Sequence, residues 1–175
     1  MFHMSFVVII RGPLGVGKTS VAKKIAFILS AHYFSIDSIV DSKKVSKIIS
    51  RDTFIAEKTF LEANKMLVPK VKSLLKRKKI VVIEGSFYRR KALTELVKKC
   101  GRKTYVITLS APLSTCIARD KKRRKSQGKD ITKGVYEKFA TVKYGKYIDT
   151  STLTVQTTVD HVICHVASKL EKTRR

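Results

Sequence analysis

The stretch Gly12-Pro13-Leu14-Gly15-Val16-Gly17-Lys18-Thr19 decides the reading of this 175-residue chain. It fits the pattern G-x-x-x-x-G-K-[ST]. An apolar run, Phe6-Val7-Val8-Ile9-Ile10, precedes it, and a helix-patterned segment, Ser20 to Ser30, follows it. Strand, glycine-rich loop and helix together form the context in which this pattern cradles phosphate. Glycines let the backbone curl so that successive N–H groups point inward at phosphate oxygens. The positive end of the following helix adds to the attraction. Lys18 is placed to reach the β- and γ-phosphates, and the Thr19 hydroxyl to bind Mg²⁺. The candidate ATP contacts are thus Gly12, Pro13, Leu14, Gly15, Val16, Gly17, Lys18, Thr19 and Ser20.

Outward from the loop, strand and helix patterns alternate. Residues 6–11, 33–37, 80–84, 104–109 and 147–150 read as five strands. Ile80-Val81-Val82-Ile83 is continuously apolar, as a strand covered on both faces must be. Helical spacing marks Val21, Ile25, Ile28 and Leu29, and then Phe60, Ala63, Leu67, Val71 and Leu74, with a break expected at Pro69. It returns at Val159, Val162, Ile163, Val166 and Leu170. The expectation is an α/β fold of the P-loop NTPase type: a five-stranded parallel sheet in the order 2-3-1-4-5, with helices on both faces and a small lid. The length suits one domain spanning residues 1–175.

Ligands of open parallel sheets bind beyond the carboxyl ends of the strands. Of only 13 acidic residues, Asp37, Glu84 and Asp149 fall at such ends. Asp37 would accept a proton from an acceptor hydroxyl or hold a Mg²⁺-bound water; capping a helix that starts near Ser38 is the bland alternative. Glu84 stands at a Walker B position and would order water around Mg²⁺, or else pair with a nearby lysine. Arg119 and Arg123 lie four apart, on one face of any helix there. With the run to Lys129 they read as a lid of about 119–133 that clamps the transferring phosphoryl. His161, Cys164 and His165 have a metal-like spacing but no third-ligand pattern, and chance placement on a helix surface explains them better.

Thirty-eight lysines and arginines against 13 acids leave a net charge of +25. Such a field attracts nucleotides, and nucleic acid as well, although the charge is spread out and no RNA-binding module accompanies it. Cys100, Cys116 and Cys164 are odd in number and far apart, which points to reduced thiols in a cytoplasmic protein. No apolar run is long enough for a membrane span, and the N-terminus has no signal-peptide pattern. A regulatory GTPase is disfavoured: no D-x-x-G occurs, and Asn64-Lys65-Met66-Leu67 lacks the aspartate of a guanine-reading motif.

The chain resembles the small P-loop kinases with the nucleoside monophosphate kinase-like fold. It is most similar to the predicted ATP-dependent kinase group that includes phage polynucleotide kinase. The zeta-toxin, gluconate kinase and adenylylsulfate kinase types look like more distant relatives. The resemblance rests on Gly12–Thr19, Ser35-Ile36-Asp37 and Val81-Val82-Ile83-Glu84-Gly85. Leu109-Ser110-Ala111-Pro112 with Arg119 and Arg123, and Ile148-Asp149-Thr150-Ser151, extend it. It implies Asp37 as the general base, Arg119 and Arg123 as lid residues, and Asp149 to Ser151, Thr150 among them, as holders of the nucleotide base. It also implies acceptor-binding helices within 38–79, where Arg51 is one of the basic residues. Glu84 departs from the aspartate usual at that strand end. The resulting expectation is an ATP- and Mg²⁺-dependent phosphotransferase. The alternative is a nucleotide-dependent RNA-binding protein without kinase activity.

Overall fold

Val7, Val8, Ile9 and Ile10 are all inaccessible to solvent, yet they serve two different cores. Alternate side chains of a strand point to opposite faces, so a continuously apolar strand needs cover on both sides. Val7 and Ile9 pack with Ile36, Phe60, Leu67, Leu93 and Leu96 on one face. Val8 and Ile10 pack with Val21, Ile25, Val159 and Val162 on the other.

A computed structural model describes residues 5–41 and 54–172. Its elements run β1 (Val7–Arg11), α1 (Lys18–Ile28), β2 (His32–Ser35), α2 (Ile36–Asp41), α3 (Glu57–Lys76), β3 (Val81–Gly85), α4 (Arg90–Cys100), β4 (Thr104–Ser110), α5 (Leu113–Lys121), α6 (Lys129–Ala140), β5 (Lys146–Asp149) and α7 (Val155–Lys172). The five strands form one sheet in the order β2-β3-β1-β4-β5, and every pairing is parallel. Helices cover both faces, as the alternation of elements predicts. Among the described residues, no helix is long and apolar enough to cross a membrane. Arg51 and Met1 to Met4 lie outside the described residues, as does part of the 38–79 segment expected to bind the acceptor.

The first helix begins at Lys18, directly after Gly17, whose left-handed φ of 99° turns the chain into it. Two local expectations need correction. The second strand stops at Ser35, so Asp37 lies in the first turn of α2 and not on a strand tip. Pro69 does not break its helix; α3 continues through it to Lys76. Pro69 and Lys65, whose carbonyl loses its partner, both face solvent, where water replaces the missing bond.

Arg11 ends β1 and is fully buried. Its guanidinium donates to the Val142 carbonyl at 2.8 Å, the Thr108 hydroxyl at 3.3 Å and the Phe87 carbonyl at 3.4 Å. It also lies 4.1 Å from the Phe139 ring centre. Burial pushes its pKa down to about 10, with Tyr147 opposing, so it remains a cation at neutral pH. A buried charge persists only when its hydrogen bonds are supplied. Here two backbone carbonyls and the Thr108 hydroxyl supply the terminal nitrogens, while Nε is buried without a partner, and the two carbonyls tie the segments after β3 and α6 to the end of β1. Arg11→Ala should therefore lower the unfolding free energy by about 3 kcal/mol or more, with Arg11→Lys recovering little of it. Urea denaturation of the three proteins checks this, and a loss under about 1 kcal/mol for Arg11→Ala would contradict it.

Candidate functional site

The carboxyl edge of the sheet gathers the predicted residues. Parallel register sets Glu84 level with Ile10 on one side and Ser35 on the other. The loop from Gly12 therefore leaves β1 directly beside the Glu84 carboxylate. No side chain caps the start of α1 and no acid occupies its first turn, so its N–H groups remain free for an anion. Gly15 has φ +76°, and a Cβ there would lie 2.1 Å from the Cys116 carbonyl oxygen. Only glycine fits between the loop and α5.

Lys18 is 7% exposed, and its Nζ donates to the Pro13 carbonyl at 3.0 Å, across the mouth of the loop. Burial pushes its pKa down, while Asp37 and Glu84 pull it back up. The Thr19 hydroxyl donates to Glu84 Oε2 at 3.4 Å, and the Tyr33 hydroxyl donates to Glu84 Oε1 at 3.1 Å. Burial, reinforced by Glu84, raises the Tyr33 phenol. A threonine hydroxyl and a carboxylate are hard oxygen donors, which suits Mg²⁺. The residues present thus fit the ion that the loop implies.

Asp37 is held from the neighbouring strand end. The Ser86 backbone N–H donates to both its carboxylate oxygens, at 3.1 and 3.2 Å, and the Ser86 hydroxyl to Oδ2 at 3.1 Å. Gly85 allows this approach, since a Cβ there would meet Ile36 at 2.1 Å. Phe87 follows with φ 44°, a left-handed conformation that costs a non-glycine residue about 1–2 kcal/mol. Burial raises the Asp37 pKa; Lys18 and the Ser86 hydrogen bonds oppose that rise, and Glu84 adds to it.

The two arginines part company. The expected common helix face does not form, because α5 ends at Lys121 and Arg123 sits in the turn beyond it. Arg119 donates to the Thr150 hydroxyl at 3.2 Å, the Thr150 carbonyl at 2.8 Å and the Ser151 carbonyl at 3.4 Å. Thr150 in turn donates from Oγ1 to the Val16 and Ser110 carbonyls, both at 3.2 Å, which joins this segment to the glycine loop. Arg123 contacts Asp120 at 3.3 Å. Asp149 is exposed and accepts from the Ser151 N–H at 2.8 Å, outside the lining of the cavity. His161, Cys164 and His165 lie along α7, and no metal-binding cluster of His, Cys, Asp and Glu occurs among the described residues.

One cavity of about 670 Å³ unites these groups. Sites for small molecules run to roughly 300–1,000 Å³, so a nucleotide fits. Residues 14–21 form one wall, Asp37 and Glu84 another, and Arg119, Arg123 and Thr150 a third. Sequence reasoning missed Tyr33, Ser86 and Asp120. Tyr33 carries only strand pattern in the sequence, and Ser86 follows a glycine as any turn residue does. Asp120 carried the one available signal, a lone acid inside a basic run.

Residues 4–175 match the family described as chromatin associated protein KTI12. The chain belongs to this family. No curated protein matches it in sequence. In structure, this KTI12-family chain is similar to a gluconokinase from Sinorhizobium meliloti 1021, with a TM-score of 0.78 at 14% identity, covering 97% of this chain and 95% of that one. It is similar to a tunicamycin resistance protein from Deinococcus radiodurans, with a TM-score of 0.68 at 19% identity and coverage of 93% and 95%. It is also similar to shikimate kinase from Acinetobacter baumannii, with a TM-score of 0.66 at 18% identity and 96% coverage of each. The fold is that of the small P-loop kinases, as the resemblance in sequence implies.

A carboxyl whose pKa is raised on folding contributes most to stability below its unfolded pKa and loses that contribution as pH rises through the folded value. Folding therefore favours the protonated Asp37, and this KTI12-family fold is weakened as that carboxyl ionises. Asp37→Asn should melt at a higher temperature than the native chain at pH 7. The difference should shrink as pH falls toward the ordinary carboxylate range. Thermal melts from pH 4 to pH 8 check this, and an advantage for Asn that is flat or grows toward acid would contradict it.

Proposed function

We propose that this chain is an ATP- and Mg²⁺-dependent phosphotransferase that moves the γ-phosphoryl group to a hydroxyl or phosphate of a small molecule, a nucleotide or a nucleic-acid end. The observation that carries the reading is one cavity lined at once by the glycine loop, by the carboxylates of Asp37, Asp41 and Glu84, and by Arg119 and Arg123. A bare phosphate-binding module would need only the first of these.

In this reading the α1 N–H groups and Lys18 hold the β- and γ-phosphates. Mg²⁺ would be held by Thr19, with Glu84 acting through water, and would supply charge neutralisation on the phosphates. Tyr33 orients Glu84. Asp37 receives the acceptor proton. A carboxyl with a raised pKa is a better base near neutrality than an ordinary aspartate. Ser86 holds both of its oxygens and so fixes the direction of approach. Arg123 faces the transferring phosphoryl, whereas Arg119 and Thr150 hold the segment that would carry the base. Three free thiols support a cytoplasmic location.

A second reading has one observation behind it. The +25 charge agrees in sign with the chromatin association in the family's description and would suit a nucleotide-dependent RNA- or DNA-binding protein without kinase activity. A salt titration of RNA retention separates the two: loss of all retention near physiological salt removes this alternative.

The kinase reading is tested with purified protein, Mg²⁺ and γ-labelled ATP against a panel of hydroxyl and phosphate acceptors. Asp37→Asn should lower kcat by about 10²–10⁴-fold while changing ATP affinity less than about threefold. Lys18→Ala should weaken ATP binding itself. Undiminished turnover in Asp37→Asn, or no label transferred to any acceptor, would overturn the reading.

A further inference from the structure

Asp120 is 1% exposed in a chain where cations outnumber acids by 38 to 13. A buried carboxylate is costly unless its oxygens are satisfied. Four donors satisfy these: the Ser126 hydroxyl at 2.7 Å, the Gln127 N–H at 2.9 Å, the Gly128 N–H at 3.3 Å and Arg123 Nη1 at 3.3 Å. Three of the four come from residues six to eight positions further along the chain. A single side chain at the end of α5 thus draws the whole 121–128 segment back onto itself. The Arg123 N–H adds a bond to the Asp120 carbonyl at 3.0 Å, and the Ser126 hydroxyl accepts from Gly128 N at 3.1 Å. Gly128, with φ 89°, then caps α6.

The segment so closed is Lys121-Lys122-Arg123-Arg124-Lys125, five exposed cations in a row. Such a run repels itself and stays open unless an anion gathers it. Charge-assisted hydrogen bonds are the strong kind, and Asp120 makes several at once. Burial pushes its pKa up, but the hydrogen bonds from Ser126, Gln127 and Gly128 outweigh this and hold it below the ordinary value. The carboxylate therefore stays ionised across the neutral range.

Arg123 is the member of this run that lines the nucleotide cavity. Its contact with Asp120 engages Nη1, one nitrogen of a group with five N–H donors in a rigid fork. The remaining donors are free in direction to meet a phosphoryl group. Arg119, four residues earlier, is committed to the Thr150 and Ser151 carbonyls. The work of meeting the phosphoryl therefore falls to Arg123, and its direction is set from behind by Asp120.

We propose that Asp120 is a positioning residue that folds the basic lid segment before any nucleotide arrives and aims Arg123 into the cavity. The part concerning Arg123 rests on the phosphotransferase reading; the part concerning the lid does not. Two variants and two readouts test it. The basic run is dense in trypsin sites, so limited proteolysis reports its folding directly. Asp120→Asn, without ligand, should be cut within residues 121–125 about tenfold or more faster than the native chain, with cutting elsewhere unchanged. Ser126→Ala removes one exposed donor, leaves the α5 packing intact and should give a smaller acceleration, about threefold. In phosphotransfer, Asp120→Asn should lose kcat by about tenfold to a hundredfold with the KM for ATP held within about threefold, and Asp120→Glu should recover part of it.

Equal trypsin rates in the native chain and both variants would overturn the lid assignment, whether or not the protein is a kinase. Faster cutting with an unchanged kcat would overturn the aiming of Arg123. A native chain that transfers no phosphoryl to any acceptor counts against the phosphotransferase reading and the aiming with it, and the trypsin rates then decide the lid alone.

Discussion

β1 is paired residue for residue with β3 on one edge and β4 on the other, and the placement of every chemical group follows from that double pairing. A strand bonded on both edges has no freedom to slip, since a one-residue shift would turn its apolar side chains onto the wrong faces. The glycine loop leaves β1 at Gly12, so its position is fixed relative to Glu84 at the end of β3 and Ser110 at the end of β4. The Thr150 hydroxyl extends the same frame by one more strand, through the Val16 and Ser110 carbonyls. The cavity is thus bounded by backbone whose register cannot drift, and its side chains inherit that precision.

Electrostatics then sets the cavity against the rest of the molecule. The chain carries a net charge of +25, yet the cavity gathers Asp37, Asp41 and Glu84 beside the buried Lys18, with Lys23, Arg119 and Arg123 also in its lining. Lys18, Asp37 and Glu84 are each partly desolvated, and each needs the others. Lys18 is pushed toward neutrality by burial and pulled part of the way back by the two carboxylates. Asp37 is pushed toward protonation by burial and by Glu84, and pulled part of the way back by Lys18 and Ser86. Asp37 and Glu84 beside Lys18 offer hard oxygen donors to a divalent cation, while the basic residues of the lining and of the surrounding surface would draw an anionic nucleotide in. Local negative charge within a positive field is therefore consistent with a site that awaits both a metal and a phosphate chain.

The architecture was legible because its signals are long and redundant. Ile80–Ile83 can only be a doubly covered strand, the loop pattern implies both of its flanks, and alternation of elements implies a parallel sheet. What escaped was decided by single residues. Gly17 started α1 earlier than apolar periodicity could show, since Lys18 and Thr19 carry no hydrophobic signal. β2 ends at Ser35, whose hydroxyl accepts from the Ser38 N–H at the start of α2, and Asp37 there accepts from Ser86, a residue 49 positions away that no local pattern connects to it. Pro69 looked like a break because sequence alone does not say which face of a helix meets water. Arg119 and Arg123 looked alike because spacing shows only that two residues share a face, not which carbonyls lie opposite. For Asp37 and Arg119 the missing information was a long-range partner, for Gly17 a local backbone conformation and for Pro69 an exposed face.

The division between the two arginines bears on how such a lid can work at all. An arginine that both anchored the 150–151 segment and followed a moving phosphoryl would have to break several hydrogen bonds on every closure. Each bond to a charged group contributes about 1.5–3 kcal/mol. Assigning the anchoring to Arg119 and leaving Arg123 with one shared bond to Asp120 avoids that loss. Arg123 can shift its free donors toward a phosphate while Ser126, Gln127 and Gly128 continue to hold Asp120 in place. A loop organised by an internal carboxylate need not fold and unfold with the ligand, so less ordering entropy opposes nucleotide binding. The same logic explains why one acid stands directly before five cations: any second acid in the run would compete with Asp120 for Arg123, and none at all would leave the run to its own repulsion.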